Sequence, residues 1–266
     1  MNKVKYYVLL LLFFLPSLVY SQASGGQIKR NVQRTTSKIN KRGSLSKKTS
    51  RTYTTREMVE MGQSFYDKGN YAEALNWYKK AAENGSSDAQ SELGFMYLNG
   101  EGTPVDKTEG AKWLIKAGDN GDAMAQRALG YMYRNGDGVY KSELEANKWF
   151  GKATPKFYEA ARGLMKSNGQ AAIQLFSWVY DMRQKPHDVW SLFHIGEIYY
   201  YSLGNVDFNY KEAFNYFKMA SDTGNNVATY YVGICYETGN GITKDINLAK
   251  EYYRKSGFNS LPSRDF

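Results

Sequence analysis

The sequence predicts an all-α chain of about six stacked helix-turn-helix repeats, and three observations point there. Glycines recur inside otherwise apolar helical stretches at Gly62, Gly94, Gly130, Gly163, Gly196 and Gly233, at spacings of 32, 36, 33, 33 and 37 residues. An aromatic pair or a single tryptophan follows each glycine: Trp77-Tyr78, Trp113, Trp149-Phe150, Trp178, Tyr216-Phe217 and Tyr252-Tyr253. Between glycine and aromatic stand pairs with helix-capping spacing. A glycine inside a helix costs about 1 kcal/mol relative to alanine, so six at near-constant period need a packing reason, most simply the close approach of a neighbouring helix. Each repeat therefore holds one helix centred on the glycine and a second centred on the aromatic.

The repeats run near 57–86, 87–121, 122–153, 154–186, 187–225 and 226–257. From glycine to aromatic the distance is 15 residues in the first and fourth repeats and 19 or 20 in the others, the difference being loops such as Gly100-Glu101-Gly102, Gly136-Asp137-Gly138 and Gly239-Asn240-Gly241. Their recurrence predicts turns that need positive φ. None is followed by the Lys-Ser/Thr of a phosphate loop or by the third glycine of a dinucleotide loop. The second helices start at Asn70 with Glu73, Asp106 with Glu109, Ser142 with Glu145 and Asn209 with Glu212, each a capping-box spacing. That spacing accounts for the carboxylates Asp106 and Glu109 better than a general acid/base pair does. Tyr97, Tyr133, Tyr199 and Tyr236 each lie three residues after a glycine and are expected to pack between repeats.

Charge is confined to one end. Residues 1–56 hold twelve Lys and Arg and no acid, which leaves 23 basic and 26 acidic residues in the remainder. A folded nucleic-acid-binding face would carry the positive charge itself, so no nucleic-acid partner is expected. Residues 1–23 read as a secretory signal peptide: Lys3 and Lys5 precede the apolar run Val8 to Leu15, Pro16 ends it, and small residues follow, with cleavage expected after Ser21 or Ala23. The run is shorter than the roughly 20 residues that span a bilayer. Residues 24–56 are rich in Ser, Thr, Lys and Arg, without apolar periodicity, and read as a solvated basic arm that is either a spacer or a foot on an anionic surface. Residues 258–266 form a tail in which Phe258, Leu261 and Phe266 could cover the last repeat.

One Cys and two His exclude a disulfide framework, a Cys/His zinc site and a Cys-His nucleophilic pair, and no cofactor or metal is expected. Cys235 occupies the place of Met96, Met132 and Ile198 in other repeats and reads as a core residue. His194 aligns with Glu92, Ala128 and Tyr231, and His187 lies beside Pro186, so neither is assigned a ligand or base role.

The strings Leu93-Gly94-Phe95-Met96-Tyr97 with Gly100-Glu101-Gly102 and Ala111-Lys112-Trp113, and Leu129-Gly130-Tyr131-Met132-Tyr133 with Gly136-Asp137-Gly138 and Lys148-Trp149-Phe150, resemble Sel-one-like repeats. The opening repeat, with Gly69-Asn70-Tyr71-Ala72-Glu73-Ala74-Leu75, is similar to a tetratricopeptide repeat. The resemblance implies a right-handed α-solenoid that binds partners rather than performing chemistry. It also implies that first helices line a concave face. Positions three before, one after and four after the glycine are then expected to form a partner-binding groove: Ser91, Phe95 and Leu98; Arg127, Tyr131 and Arg134; Phe193, Glu197 and Tyr200; Tyr230, Ile234 and Glu237. The function expected is an exported, periplasmic or secreted, non-enzymatic scaffold for a protein or peptide, of bacterial type. The second reading is a surface module that binds an anionic polymer or lipid through the arm, and a hydrolase acting on envelope material is a third.

Overall fold

The computed structural model describes residues 52–182 and 189–258. The leader, nearly all of the basic arm, His187, and Leu261 and Phe266 of the tail lie outside the described residues. Among those described there are eleven α-helices, one 3-10 turn and no strand. Two compact bodies divide at Met124 and Ala125.

The N-terminal body comprises α1 (Thr55–Tyr66), α2 (Tyr71–Glu83), α3 (Ser87–Asn99) and α4 (Lys107–Asp119), each packed on the next. Its core is Ala74, Tyr78, Ala81, Ala82, Ala89, Leu93, Met96 and Trp113. The C-terminal body holds nearly all of α5 (Ala123–Asn135), then α6 (Glu143–Leu164), α7 (Gly169–Met182), α8 (Val189–Tyr201), α9 (Tyr210–Asp222), α10 (Asn226–Thr238) and α11 (Ile246–Ser256). From α6 onward each helix again packs on its successor, which is the sequential packing of α-solenoid repeats. A second core gathers Leu192, Phe193, Phe217, Tyr231, Val232 and Cys235.

Helix starts follow the sequence. The side-chain oxygens of Asn70, Asp106, Ser142 and Asn209 each accept from the backbone N–H three residues on. The carboxylates of Glu109 and Glu145 are engaged by Lys112 and Lys148 at 2.9 and 2.6 Å. A reciprocal capping box closes instead at Thr54 and Glu57, so α1 begins inside the segment that composition assigns to the arm.

Four tyrosines turn out to hold the long loops. The N–H of the cap residue at Asp106, Ser142, Asn209 or Asp245 donates to the carbonyl of Tyr97, Tyr133, Tyr199 or Tyr236 in the same repeat, at 2.8–3.1 Å. The rings of Tyr199 and Tyr236 stack on Tyr216 and Tyr252 of their own repeats, and Tyr236 also meets Phe214 of the preceding one. The glycine turns have distinct jobs. Gly100 and Gly239 end α3 and α10 in the left-handed region. Gly102 and Gly241, also at positive φ, lie against the backbone of Tyr71 and Tyr210, where a β-carbon would collide with the carbonyl.

The fourth repeat differs from expectation. Helix α6 is 22 residues long and runs unbroken through position 154, where a new repeat is expected to open, with Pro155 inside it. Its C-terminal half pairs with α7 through an edge-on contact of Phe157 with Trp178. Gly163 is exposed, with nothing near enough to touch a β-carbon, so it is not a packing glycine.

Candidate functional site

The other five periodic glycines share one geometry. A β-carbon on Gly62, Gly94, Gly196 or Gly233 would come within 2.6–2.7 Å of Tyr78, Leu114, Phe217 or Tyr253, and one on Gly130 would overlap Phe150. In each case the intruding side chain belongs to the second helix of the same repeat and sits just after the Trp, or at the second place of the aromatic pair. The glycine is thus the floor of the seam that closes each hairpin.

This seam decides where the twelve groove candidates go. Positions three before and four after the glycine lie on the glycine's own helical stripe, so they meet the second helix as it does. Leu98 packs against Gly110. Arg134 lies over the Phe150 ring at 4.5 Å and pairs with Glu143 at 3.6 Å. Tyr200 touches Phe217 and accepts from the Asn240 amide. Glu237 accepts the Tyr253 hydroxyl at 2.6 Å. Three before the glycine, Ser91 is buried and donates to Asp122, Arg127 stacks on Trp178 at 4.1 Å, Phe193 is buried in the core, and Tyr230 stacks on Tyr253.

One after the glycine, Phe95, Tyr131 and Ile234 keep part of their surface, whereas Glu197 is only 3% exposed. Ser91, Phe193 and Glu197 are therefore interior residues rather than lining, a correction that follows from the shared stripe and, for Glu197, from the elements packed beside α8. The nine others retain surface.

Within this set, Tyr131 is flanked by two guanidiniums. Arg127 and Arg134 lie 5.3 and 5.6 Å from its ring. Arg127 Nε, Arg134 Nη2 and the indole N–H of Trp178 are buried with no hydrogen-bond partner among the described residues. Burial pulls the Arg127 guanidinium below its ordinary value, against Tyr131 and Asp181, and pushes the Tyr131 hydroxyl up.

Sequence reading missed a polar chain around His194. Its Nδ1 lies 2.9 Å from the Glu197 carboxylate and its Nε2 lies 3.0 Å from the Tyr158 hydroxyl. The ring is stacked between Phe176 and Trp190. With the proton on Nδ1, Nε2 accepts from Tyr158, and the chain stitches α6 to α8. The three-residue spacing of His194 and Glu197 was visible in the sequence, but Tyr158 lies 36 residues from the histidine.

The N-terminal body gathers acids. Glu92 on α3 is raised to about 7, first by burial and then by the carboxylates of Asp122, Glu101, Asp88 and Asp67. The Tyr66 hydroxyl donates to Glu101 at 3.0 Å.

No group of three or more His, Cys, Asp or Glu able to hold a metal ion occurs among the described residues. A shallow cavity of about 190 Å³ lined by Asn147, Phe150, Gly151, Thr154, Pro155 and Met182 falls below the roughly 300 Å³ at which small-molecule sites begin. No described helix is long and apolar enough to cross a membrane.

Short hairpins closed on a glycine and joined by positive-φ turns define the class of α-helical repeat proteins. The chain belongs to the Sel1 repeat family, whose repeat matches residues 57–86, 87–122, 123–154, 191–225 and 226–257. The unmatched stretch, 155–190, contains the C-terminal part of the shared helix α6 and its partner α7. Repeats of this family generally mediate protein–protein interaction.

A putative beta-lactamase, HcpE of Helicobacter pylori strain J99, is 41% identical over 46 residues, 17% of this chain and 13% of that protein. The rat DAP3-binding cell death enhancer 1 is 34% identical over 191 residues, 71% of this chain and 31% of that protein. The chain thus spans less than a third of either curated relative. Among solved structures, c5321, a protective antigen of uropathogenic Escherichia coli with an SLR fold, is 30% identical with a TM-score of 0.43, covering 76% of this chain and 45% of that one. A Sel1 repeat protein from Oxalobacter formigenes is 24% identical with a TM-score of 0.41, covering 75% and 82%.

Proposed function

We propose that the chain is an exported, non-enzymatic scaffold that holds a protein or peptide partner on the first helices of its repeats. The observation that carries this reading is the group on α5, where Tyr131 keeps part of its surface between the guanidiniums of Arg127 and Arg134. Aromatic rings beside guanidiniums are the composition of interaction hot spots. Phe95, Tyr230, Ile234 and Glu237 extend the partly exposed set along other first helices. The second reading, binding of an anionic polymer or lipid through the arm, is favoured by the one-sided charge of residues 24–56.

The experiment is a pull-down from the envelope fraction of the exporting cell with the wild-type chain, Tyr131→Ala and Arg134→Ala, each checked for helicity. A partner retained by the wild type and lost by both folded variants supports the groove. Equal retention by all three discards it. Retention that collapses between about 0.05 and 0.5 M salt, whichever variant is used, moves the binding to the arm.

A further inference from the structure

Two polar groups inside the C-terminal body stand where the repeat has no use for them. The place of Glu197, one after the glycine, is held by Phe95, Tyr131 and Ile234 in three other repeats, and that of His194 by Glu92, Ala128 and Tyr231. The hairpin is thus built elsewhere without this pair. A buried ionic pair adds little stability compared with apolar side chains of similar volume, and polar groups that break the pattern of a fold are expected at functional sites. Tyr158, the third member of the chain, comes from the C-terminal part of α6, outside the residues that match the repeat.

The order of the three groups is directional. A carboxylate only accepts, so Glu197 fixes the proton of neutral His194 on Nδ1, at 2.9 Å, and leaves Nε2 as an acceptor for the Tyr158 hydroxyl, at 3.0 Å. No other described residue hydrogen-bonds the His194 ring or the Glu197 carboxylate. Both distances are those of a hydroxyl nucleophile on its base and of that base on the group that orients it.

The rings are also held in place. The imidazole is clamped between Phe176 and Trp190 at 5.1 and 6.1 Å, and Tyr158 stands edge-on to Phe176 at 5.6 Å, so little ordering remains to be done before a reaction. The carboxylate end of the chain is shut from water and the tyrosine end is not: Glu197 is buried, whereas Tyr158 keeps part of its surface and Trp190 is exposed. The surface that a reactant would meet is therefore aromatic, which suits an aryl group.

We propose that Tyr158 is a nucleophile that takes an acyl group from activated aryl esters, with His194 as its base and Glu197 as a positioning residue. The phenol oxygen forms a bond to the ester carbonyl carbon while its proton passes to Nε2. The tetrahedral intermediate then breaks its bond to the aryloxy oxygen, which leaves with the proton from Nε2, and an acyl ester remains on Tyr158. Glu197 stabilises the imidazolium between the two steps. Nothing is oxidised or reduced. The inference assigns one covalent step to one residue and does not depend on the groove reading.

The test is treatment of the full chain with p-nitrophenyl acetate, read by peptide mass spectrometry. Tyr140 is the internal control, because it is 69% exposed and its ring meets Tyr133 rather than a histidine. Acetyl ester should form on Tyr158 at least about tenfold faster than on Tyr140, a positioned base contributing about 10²–10⁴-fold. In heavy water the Tyr158 rate should fall, because a proton moves during the attack, while Tyr140, reacting as a free phenolate, changes little. His194→Gln offers Glu197 a donor and Tyr158 an acceptor but takes no proton, and Glu197→Gln keeps an acceptor for Nδ1 without its charge. With circular dichroism unchanged, His194→Gln should lower the Tyr158 rate at least about tenfold and Glu197→Gln should lower it as well; a purely structural role would leave both rates alone. The two wild-type readouts decide the matter if a variant fails to fold. The proposal is overturned if Tyr140 is acetylated as fast as Tyr158, if heavy water leaves the Tyr158 rate unchanged, or if folded His194→Gln reacts at Tyr158 as the wild type does.

Discussion

The ring of Phe217 fills the space that a β-carbon on Gly196 would need, with Cδ1 2.6 Å from where that carbon would lie. Since Gly196 is in mid-helix and fully packed, alanine cannot enter without displacing the ring that closes the hairpin of α8 and α9. Gly196→Ala should cost about 1–3 kcal/mol, the range of overpacked cores. Gly163→Ala meets nothing and should be neutral or gain about 0.5–1 kcal/mol from helix propensity. Urea titration of both variants checks the contrast, and equal effects would remove the seam as the reason for the periodic glycines.

Glu92 makes the N-terminal body sensitive to pH. Its native value of about 7 lies above the ordinary 4.5, so the native state holds this proton more tightly than the unfolded chain. The resulting stabilisation is present below about pH 4.5 and is lost as pH rises through 7, at 1.36 kcal/mol per unit, on the order of 3 kcal/mol in all. Chemical denaturation at pH 5 and pH 8 should show that loss in the wild type and a flatter dependence in Glu92→Gln.

His194 is the partner that makes Glu197 tolerable in the core. His194→Phe keeps the stacking on Phe176 and Trp190 but removes both hydrogen bonds, and should destabilise by about 2–4 kcal/mol because the carboxylate is left buried and unpaired. Adding Glu197→Leu should recover part of the loss. A double-mutant cycle with no coupling between the two would show the pair to be energetically idle.

Cys235 reports on opening of the second core. It is fully buried beside Phe217 and Tyr231, and burial pushes its thiol up to about 12. Iodoacetamide at pH 8 should label it only through unfolding, and Gly233→Ala, which pushes Tyr253 off α10, should accelerate labelling at least about tenfold if it costs 1.4 kcal/mol or more. Rapid labelling of the folded wild type would contradict this burial.

The hairpins were legible because each depends on contacts a few tens of residues apart that repeat with the sequence: a capping oxygen three residues before an N–H, a glycine 16 to 21 residues before the side chain that covers it. The candidate groove was less legible. Spacing by three and four residues identifies residues on one stripe, but not which neighbour the stripe faces. Since the glycine lies on that stripe, Leu98, Arg134, Tyr200 and Glu237 all meet their own second helices.

What the amino-acid sequence determined by itself was therefore the unit: two helices, their caps, the positive-φ turns and the glycine between them, all set by local backbone energetics and by shapes that recur. Tertiary structure alone decided the features with no periodic counterpart. It joined the third and fourth repeats through the continuous α6, brought Tyr158 to His194, and set Glu92 within the electrostatic reach of four other carboxylates. These arise from packing between elements far apart in the chain, where the energy of one side chain depends on neighbours that no local pattern specifies.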